Sequence, residues 1–240
     1  MIGVPNTAMV LAAGLGKRMR PLTDTRPKPL VEVAGKSLLD RGLDALAYAG
    51  VEQAVVNVHY LAPQIIAHVA GRTTPRIQIS DESERLLDSA GGIVRALPKL
   101  GQDPVLLLNA DTFWIDRDGR DLDRLALEWD GDSMDILLML ADPLHATGHV
   151  GSTDFMIAAD GRLSRARGAA DGFIYAGVAI IDPRIFEGAE AEPHSLNLYF
   201  DRAIESGRLF GSVMRGHWIT VGTPDAIGEA ERTIAALGGQ

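Results

Sequence analysis

The first half of this chain alternates short apolar runs with stretches of helical periodicity, and this alternation is the strongest constraint on its fold. Strands joined by helices form parallel sheets that helices cover on both faces. The pattern therefore predicts an α/β fold with a mostly parallel sheet. Strands are predicted at 7–13, 53–58, 76–80 and 104–110, and helices at 37–50, 62–70 and 89–100.

Beyond about residue 135 the pattern becomes richer in strands. We find no internal repeat, low-complexity segment or linker, so we expect one domain over residues 1–240. Further strands are predicted near DILLML, DFMIAA, GFIYAGVAII, LFGSVM and HWITV, with helices near 196–205 and from Pro224 to about Leu237.

Composition excludes several classes of function. The chain carries a formal charge of −9, which argues against nucleic acid or an anionic membrane as the main partner. It has no cysteine, which excludes disulfides and thiolate chemistry and is typical of a reducing cytoplasm. The N-terminus lacks the pattern of a signal peptide, and no apolar run has the ~20 residues of a membrane span. We therefore expect a cytoplasmic protein.

A positively charged loop follows the first strand, against the acidic character of the whole chain. In open parallel sheets, ligands bind at the carboxyl ends of the strands. Gly14 and Gly16 allow backbone N–H groups to approach phosphate oxygens, and prolines on both sides restrict the backbone of Lys28. Because Arg18 can form two parallel hydrogen bonds to a phosphate, the loop predicts a phosphate site. Its basic residues are Lys17, Arg18, Arg20, Arg26 and Lys28.

Two familiar phosphate-binding motifs do not fit. GLGKRM lacks the third glycine of the dinucleotide fingerprint. VAGKS at 33–37 would need a glycine at position 30 to end a P-loop, and Leu30 stands there. We interpret Gly35–Ser37 as a turn followed by a helix cap.

The loop closely resembles the sugar-1-phosphate nucleotidyltransferases, which make a nucleotide sugar from a nucleoside triphosphate and a sugar 1-phosphate. Their motif L-A-A-G-x-G-x-R-[ML]-x-P-L-T followed by P-K-P is complete between Leu11 and Pro29. The resemblance implies a doubly wound, Rossmann-like sheet, with nucleotide bound by the first half (about 1–112) and sugar phosphate by the second (about 113–240). It continues through LLDSAGGIVRAL, LLLNAD, DF, YAGVAII and HWITVGTP.

Within the family, the RGHW and VGT elements resemble most the branch that transfers a uridylyl group from UTP to N-acetylmuramate 1-phosphate. Three alternatives stay open: transfer from GTP to mannose 1-phosphate, transfer from CTP to phosphocholine, and a nucleotide-sensing protein without catalysis. The muramate sugar would carry a lactyl carboxylate, for which Arg165, Arg167 and His149 are candidate partners. We expect a monomer or homodimer.

The resemblance also implies the roles of individual residues. Arg18, Lys28 and Asp111 are the implied catalytic residues, and Asp111 would bind Mg²⁺ as the cofactor. Sugar contacts are implied for Asn109, Asp154 and Gly177. Nucleotide contacts are implied for Leu11, Ala13, Gly14, Gly16, Lys17, Arg18, Lys28 and Gly91. The base would lie against the start of the helix at 89–100, for which Ser89 is a candidate cap.

One position departs from the family. Relatives have a second metal-binding aspartate in W-x-D-V-G-T, where this chain has Thr220. A neutral hydroxyl is a weak Mg²⁺ ligand, so we do not extend that role to Thr220. We expect a solvated turn at the acidic residues Glu82, Glu84 and Asp88.

The expected reaction needs no general base. The nucleophile is a phosphate monoester, whose second pKa of about 6 leaves it largely dianionic at neutral pH. The enzyme must instead align two polyanions and neutralise the charge between them. The basic loop matches that task.

Overall fold

The computed structural model describes residues 3–117 and 119–238. Fourteen strands and six α-helices are numbered in chain order. The strands are β1 (Thr7–Leu11), β2 (Glu32–Val33), β3 (Lys36–Ser37), β4 (Gln53–Val58), β5 (Arg76–Asp81), β6 (Val105–Asn109), β7 (Thr112–Ile115), β8 (Ile136–Ala141), β9 (Ala146–Thr147), β10 (Phe155–Ile157), β11 (Leu163–Arg165), β12 (Ile174–Ile181), β13 (Leu209–Val213) and β14 (His217–Thr220). The helices are α1 (Leu38–Tyr48), α2 (Ala62–Val69), α3 (Asp88–Leu100), α4 (Asp121–Glu128), α5 (Asn197–Glu205) and α6 (Asp225–Leu237).

A seven-stranded sheet in the order β13-β8-β12-β6-β1-β4-β5 forms the centre of the molecule. Every strand except β12 runs in the same direction, and β12 is antiparallel to both of its neighbours. The carboxyl ends of β1, β4 and β6 therefore lie side by side, with Leu11 in register with Asn57 and Asn109. Ligands bind at this edge in open α/β sheets.

Helices cover both faces of the sheet, which confirms the predicted α/β class. Strand residues alternate between the faces. Val10 of β1 packs in the core with α1, α2 and α4, and Met9 packs on the other face with α3 and α5. The strand order combines segments from both halves of the chain into a single sheet.

A smaller sheet, in the order β7-β14-β9, lies beside the main one and packs against α6. Its core includes Phe113 and Ile219 from the strands and Ala230 from the helix. Met19 and Val31 belong to the same core, so they anchor both ends of the basic loop to it. This packing positions the loop next to the end of β6.

Most predicted elements are confirmed, and β4 agrees residue for residue. The helix cap at Ser37 is also confirmed, because its side chain accepts a hydrogen bond from the Asp40 amide. The cap assigned to Ser89 is wrong: α3 begins at Asp88, and the Ser89 hydroxyl instead accepts from the Leu196 amide. Helix α4 and strand β7 were not predicted. Over the described residues, no helix is long and apolar enough to cross a membrane.

Candidate active site

The basic loop folds back on itself through short 3₁₀ turns. Gly16 adopts a left-handed backbone with φ of 61°, and a Cβ there would lie 3.0 Å from both Lys28 Cβ and Thr23 Cγ2. The Thr23 hydroxyl donates to the Gly16 carbonyl over 2.8 Å. Glycine therefore allows a fold in which Lys28 lies against the start of the loop.

Lys28 and Asp111 form an ion pair although 83 residues separate them. The Lys28 ammonium donates to Asp111 Oδ2 over 2.6 Å. The lysine side chain is 11% exposed and the aspartate 37%. Asp111 lies two residues after Asn109, the last residue of β6, and its carbonyl accepts from the Val221 amide, which fixes the backbone against the end of β14. The structure thus brings two of the three predicted catalytic residues into contact.

The third predicted catalytic residue lies in the same place. A cleft of about 230 Å³, called here the phosphate cleft, contains Arg18 near Gly222. Neither Lys17 nor Arg18 forms an ion pair with any described residue, so both charges remain available to an anion. The cleft is lined by Gly14, Gly16, Lys17, Arg18, Met19, Lys28, Asp111 and Gly222.

A second cleft of about 260 Å³, the nucleoside cleft, shares Gly14, Lys28 and Asp111 with the phosphate cleft. Its floor is the carboxyl end of β1, and its wall is the start of α3. The expected nucleotide contacts Leu11 and Ala13 are both in its lining, which is formed by Leu11–Gly14, Lys28, Pro29, Asn57, Leu86, Asp88, Ser89 and Asn109–Asp111.

A buried polar network beneath this cleft was not predicted. Asn57 accepts from the Ala12 amide at 2.7 Å and donates to Glu82 Oε1 at 2.7 Å, while Glu82 Oε2 accepts from the Leu87 amide at 3.2 Å. Glu82 is 1% exposed, so the expected solvated turn is wrong at this residue. Burial raises the pKa of the Glu82 carboxyl, against the opposing effect of its hydrogen bonds. The signal in the sequence was Gly92, whose Cβ would lie 2.6 Å from Glu82 Oε1.

Gly91 does not line the cleft, contrary to its expected role beside the base. Its amide donates to the His194 carbonyl at 3.4 Å, and a Cβ there would lie 2.2 Å from the Glu192 carbonyl oxygen. The glycine therefore allows α3 to pack closely on the segment before α5. Asp88 and Ser89, at the start of the same helix, face the cleft instead.

A third cleft of about 200 Å³, the acceptor cleft, adjoins the nucleoside cleft through Leu11, Ser89 and Asn109. The predicted sugar contact Asp154 lies in it, and its Oδ2 accepts from the Tyr175 amide at 2.8 Å. The lining comprises Leu11, Ser89, Asn109, Asp154, Phe155, Arg165, Tyr175, Leu196, Asn197 and Phe200.

Two features of β12 shape the acceptor cleft. The strand has an irregular register with β8 between Tyr175 and Ala179. Gly177, in this interval, has φ of 79°, and a Cβ would lie 3.0 Å from Asn109 Nδ2. Gly177 therefore leaves room for the Asn109 side chain and does not line the cleft itself. The Tyr175 hydroxyl is buried without a partner among the described residues, and burial raises the pKa of the phenol.

The site has few groups for a metal. Among residues 3–117 and 119–238, no three His, Cys, Asp or Glu side chains cluster as a metal site. Asp111 is the carboxylate that faces the phosphate cleft. Thr220 pairs with Thr112 across the strands and is the last residue of β14, two residues before Gly222, which lines that cleft. Because Mg²⁺ in phosphate chemistry needs only one or two carboxylates besides phosphate oxygens and water, the donor set fits.

The chain is similar to known proteins in sequence and in fold. The chain is 45% identical to the N-acetylmuramate alpha-1-phosphate uridylyltransferase of Caulobacter vibrioides, over 98% of this chain and 99% of that protein. It is 33% identical to the enzyme of the same name from Neisseria meningitidis, over 95% and 98% of the two chains. The structure of HddC from Yersinia pseudotuberculosis with GMP-PN matches with a TM-score of 0.76 at 21% identity, covering 95% of this chain and 99% of that one.

The HddC comparison supports the fold, whereas the two uridylyltransferases are similar in sequence over nearly their full lengths. In addition, the MobA-like NTP transferase domain matches residues 8–150, a range that spans the basic loop, the carboxyl ends of β1, β4 and β6, and Asp111. The chain belongs to the nucleotidyltransferase family that this domain defines.

Proposed function

We propose that this protein is a Mg²⁺-dependent uridylyltransferase that joins UTP and N-acetylmuramate 1-phosphate, releasing pyrophosphate. The observation that carries the proposal is the position of the Lys28–Asp111 pair, which belongs to both the phosphate cleft and the nucleoside cleft. The choice of UTP and of the muramate sugar rests on similarity to the two uridylyltransferases.

In this proposal the three clefts bind three parts of the substrates. The triphosphate lies in the phosphate cleft against Arg18 and the Gly14–Gly16 backbone. The nucleoside lies over the end of β1, and the sugar occupies the acceptor cleft beside Asn109 and Asp154. The first half of the chain then supplies most nucleotide contacts and the second half most of the sugar contacts, within one domain.

The reaction is an in-line displacement. An oxygen of the sugar phosphate forms a bond to the α-phosphorus, and the bond from that phosphorus to the oxygen of the leaving pyrophosphate breaks. Lys28 bridges the α-phosphate and the incoming phosphate and offsets their repulsion. Arg18 holds the β- and γ-phosphates in line through paired hydrogen bonds. No side chain has to remove a proton, because the nucleophile is already an anion.

Asp111 would hold the Mg²⁺ ion, together with phosphate oxygens and water. The ion supplies positive charge that stabilises the negative charge on the reacting phosphates. Asp111 would hold the ion through the carboxylate that accepts from Lys28, and Lys28, once released from that pair, would reach the phosphates.

The test is pyrophosphate release with each of UTP, GTP, CTP and ATP, against N-acetylmuramate 1-phosphate, mannose 1-phosphate and phosphocholine. We expect UTP with the muramate substrate to give the highest kcat/KM. A preference for GTP with mannose 1-phosphate would refute the substrate assignment. Absence of pyrophosphate across the whole panel would refute catalysis and favour a nucleotide-sensing protein.

A further inference from the structure

The acceptor cleft continues outward into a wider cleft that the roles given above leave without a ligand. This outer cleft shares Asp154, Arg165 and Asn197 with the acceptor cleft, so a sugar bound there would extend a substituent into it. The remaining lining is Ser152, Thr153, Arg167, Gly168 and Asp201.

Arg165 is held rigidly where the two clefts meet. Its Nε donates to Asp201 Oδ1 at 2.8 Å, and its Nη2 donates to Asn197 Oδ1 at 3.0 Å and to the Asn197 carbonyl at 3.3 Å. Its guanidinium lies 4.8 Å from the ring centroid of Phe155 and 5.9 Å from that of Phe200. The two N–H groups on Nη1 have no partner in the described part of the chain. A preorganised guanidinium loses little entropy when it binds an anion.

Arg167 adds a second positive charge to the outer cleft. It is exposed, and it makes no ion pair within residues 3–117 and 119–238. Its backbone has φ of 49°, and the following Gly168 has φ of 81°, so the chain turns sharply after β11 and keeps Arg167 on the rim of this cleft.

Each of the two acidic side chains of the outer cleft already accepts a hydrogen bond. Asp154 accepts from the Tyr175 amide, and Asp201 accepts from Arg165. Arg167 has no acidic partner among the described residues, and Arg165 still offers Nη1. His149, the other candidate partner, is not in the cleft lining: it packs 5.9 Å from Trp218, and its Nε2 lies 3.3 Å from the carbonyl of Ser152, which does line the cleft.

We propose that the outer cleft binds a carboxylate substituent of the acceptor sugar, with Arg165 Nη1 as its fixed donor and Arg167 as its second cation. The inference rests on the proposed function, since it assigns a part of the acceptor to a part of the same site. It makes this cleft the source of discrimination between a sugar 1-phosphate that carries a carboxylate and one that lacks it.

The experiment compares kcat/KM for N-acetylmuramate 1-phosphate and N-acetylglucosamine 1-phosphate, which differ by the lactyl group. We expect Arg167→Ala to reduce the ratio of the two values about tenfold, because a charge-assisted hydrogen bond is lost for one substrate only. Arg165→Met, which keeps an apolar stem on the phenylalanine rings, should reduce the ratio further. Arg202→Ala removes an exposed arginine of α5 outside the cleft and should leave the ratio unchanged.

Two results have different meanings. If the wild type uses neither sugar phosphate, the proposed function itself is wrong. If the wild type uses the muramate substrate but Arg165→Met and Arg167→Ala both leave the ratio at the wild-type value, the outer cleft does not bind the carboxylate and the inference is overturned. Because Arg167 makes no ion pair with the described residues, its variant tests the inference even if Arg165→Met folds poorly.

Discussion

Replacing Lys28 by methionine should tighten the binding of Mg²⁺ to the nucleotide-free protein and at the same time slow nucleotidyl transfer. In the free protein the Lys28 ammonium lies 2.6 Å from Asp111 Oδ2 and therefore competes with a metal for that carboxylate. Methionine has a similar shape and fills the largely buried space of the lysine without the charge. The two effects have opposite signs, which sets this prediction apart from general damage to the site.

The size of the effect follows from the exposure of the pair. Two opposite unit charges about 4 Å apart attract by about 4 kcal/mol at an effective dielectric constant of about 20, and by about 1 kcal/mol in water. Asp111 is 37% exposed, so screening favours the lower value. Removing an attraction of about 1 kcal/mol between Lys28 and Asp111 should tighten Mg²⁺ binding roughly fivefold. Turnover should fall about a hundredfold, because a preorganised charge on the reacting phosphates is lost.

Calorimetric titration of Mg²⁺ into nucleotide-free protein at constant ionic strength measures the first effect, and pyrophosphate release at saturating substrates measures the second. Lys17→Met is the matched control, since Lys17 lines the same cleft and is exposed but does not contact Asp111. If Lys28→Met binds Mg²⁺ no more tightly than Lys17→Met, the ion pair does not compete with the metal. Wild-type turnover in Lys28→Met would refute the bridging role.

Three further predictions concern other parts of the site. Arg18→Ala should raise the Kd for UTP by tenfold or more while leaving the Kd for UMP nearly unchanged, as fluorescence titration would show, because it removes a paired contact to the triphosphate. Thr220→Asp should tighten Mg²⁺ binding by adding a carboxylate beside Asp111, and unchanged affinity with and without nucleotide would mean that position 220 does not face the metal. Because the pKa of Glu82 is raised in the folded protein, this carboxyl binds more protons in the folded than in the unfolded state above pH 4.5, and its contribution to the free energy of unfolding should decrease with rising pH. Glu82→Gln should make the pH slope in urea titrations less negative, and an unchanged slope would contradict the assignment.

The order of strands and helices could be predicted because it follows from the local periodicity of apolar residues. The run at 53–58 became β4 without a change of boundary, and the helix cap at Ser37 formed as expected. The basic loop could also be located at the carboxyl end of the first strand, since that requires only the order of elements. Helix α4 was not predicted, because it has no side-chain cap at Arg120 and, unlike α2 of the same length, no proline in its first turn.

Burial was harder to predict for a polar residue whose hydrogen-bond partners are distant in the sequence. Glu82 reads as an exposed acid among other charged residues, yet it is buried because Asn57 and the Leu87 amide supply its hydrogen bonds. Gly91 was expected to contact the nucleotide at the start of a helix, yet it permits close packing against the Glu192 carbonyl. Neither the hydrogen bonds of Glu82 nor the packing of Gly91 can be inferred from the residues next to them in the sequence.

The sequence by itself determined which chemical groups the site contains: a glycine-rich basic loop after β1, an aspartate after β6 and, near the end of the chain, Thr220 where the family resemblance implies a second aspartate. Only the tertiary structure decided how these groups pair. The register of β1 with β6 and the packing of the loop on the smaller sheet bring Lys28 to Asp111, and α5 supplies the residues that hold Arg165 in place. Such contacts depend on which strands become neighbours, and this is decided by burial across the whole core rather than by any local pattern.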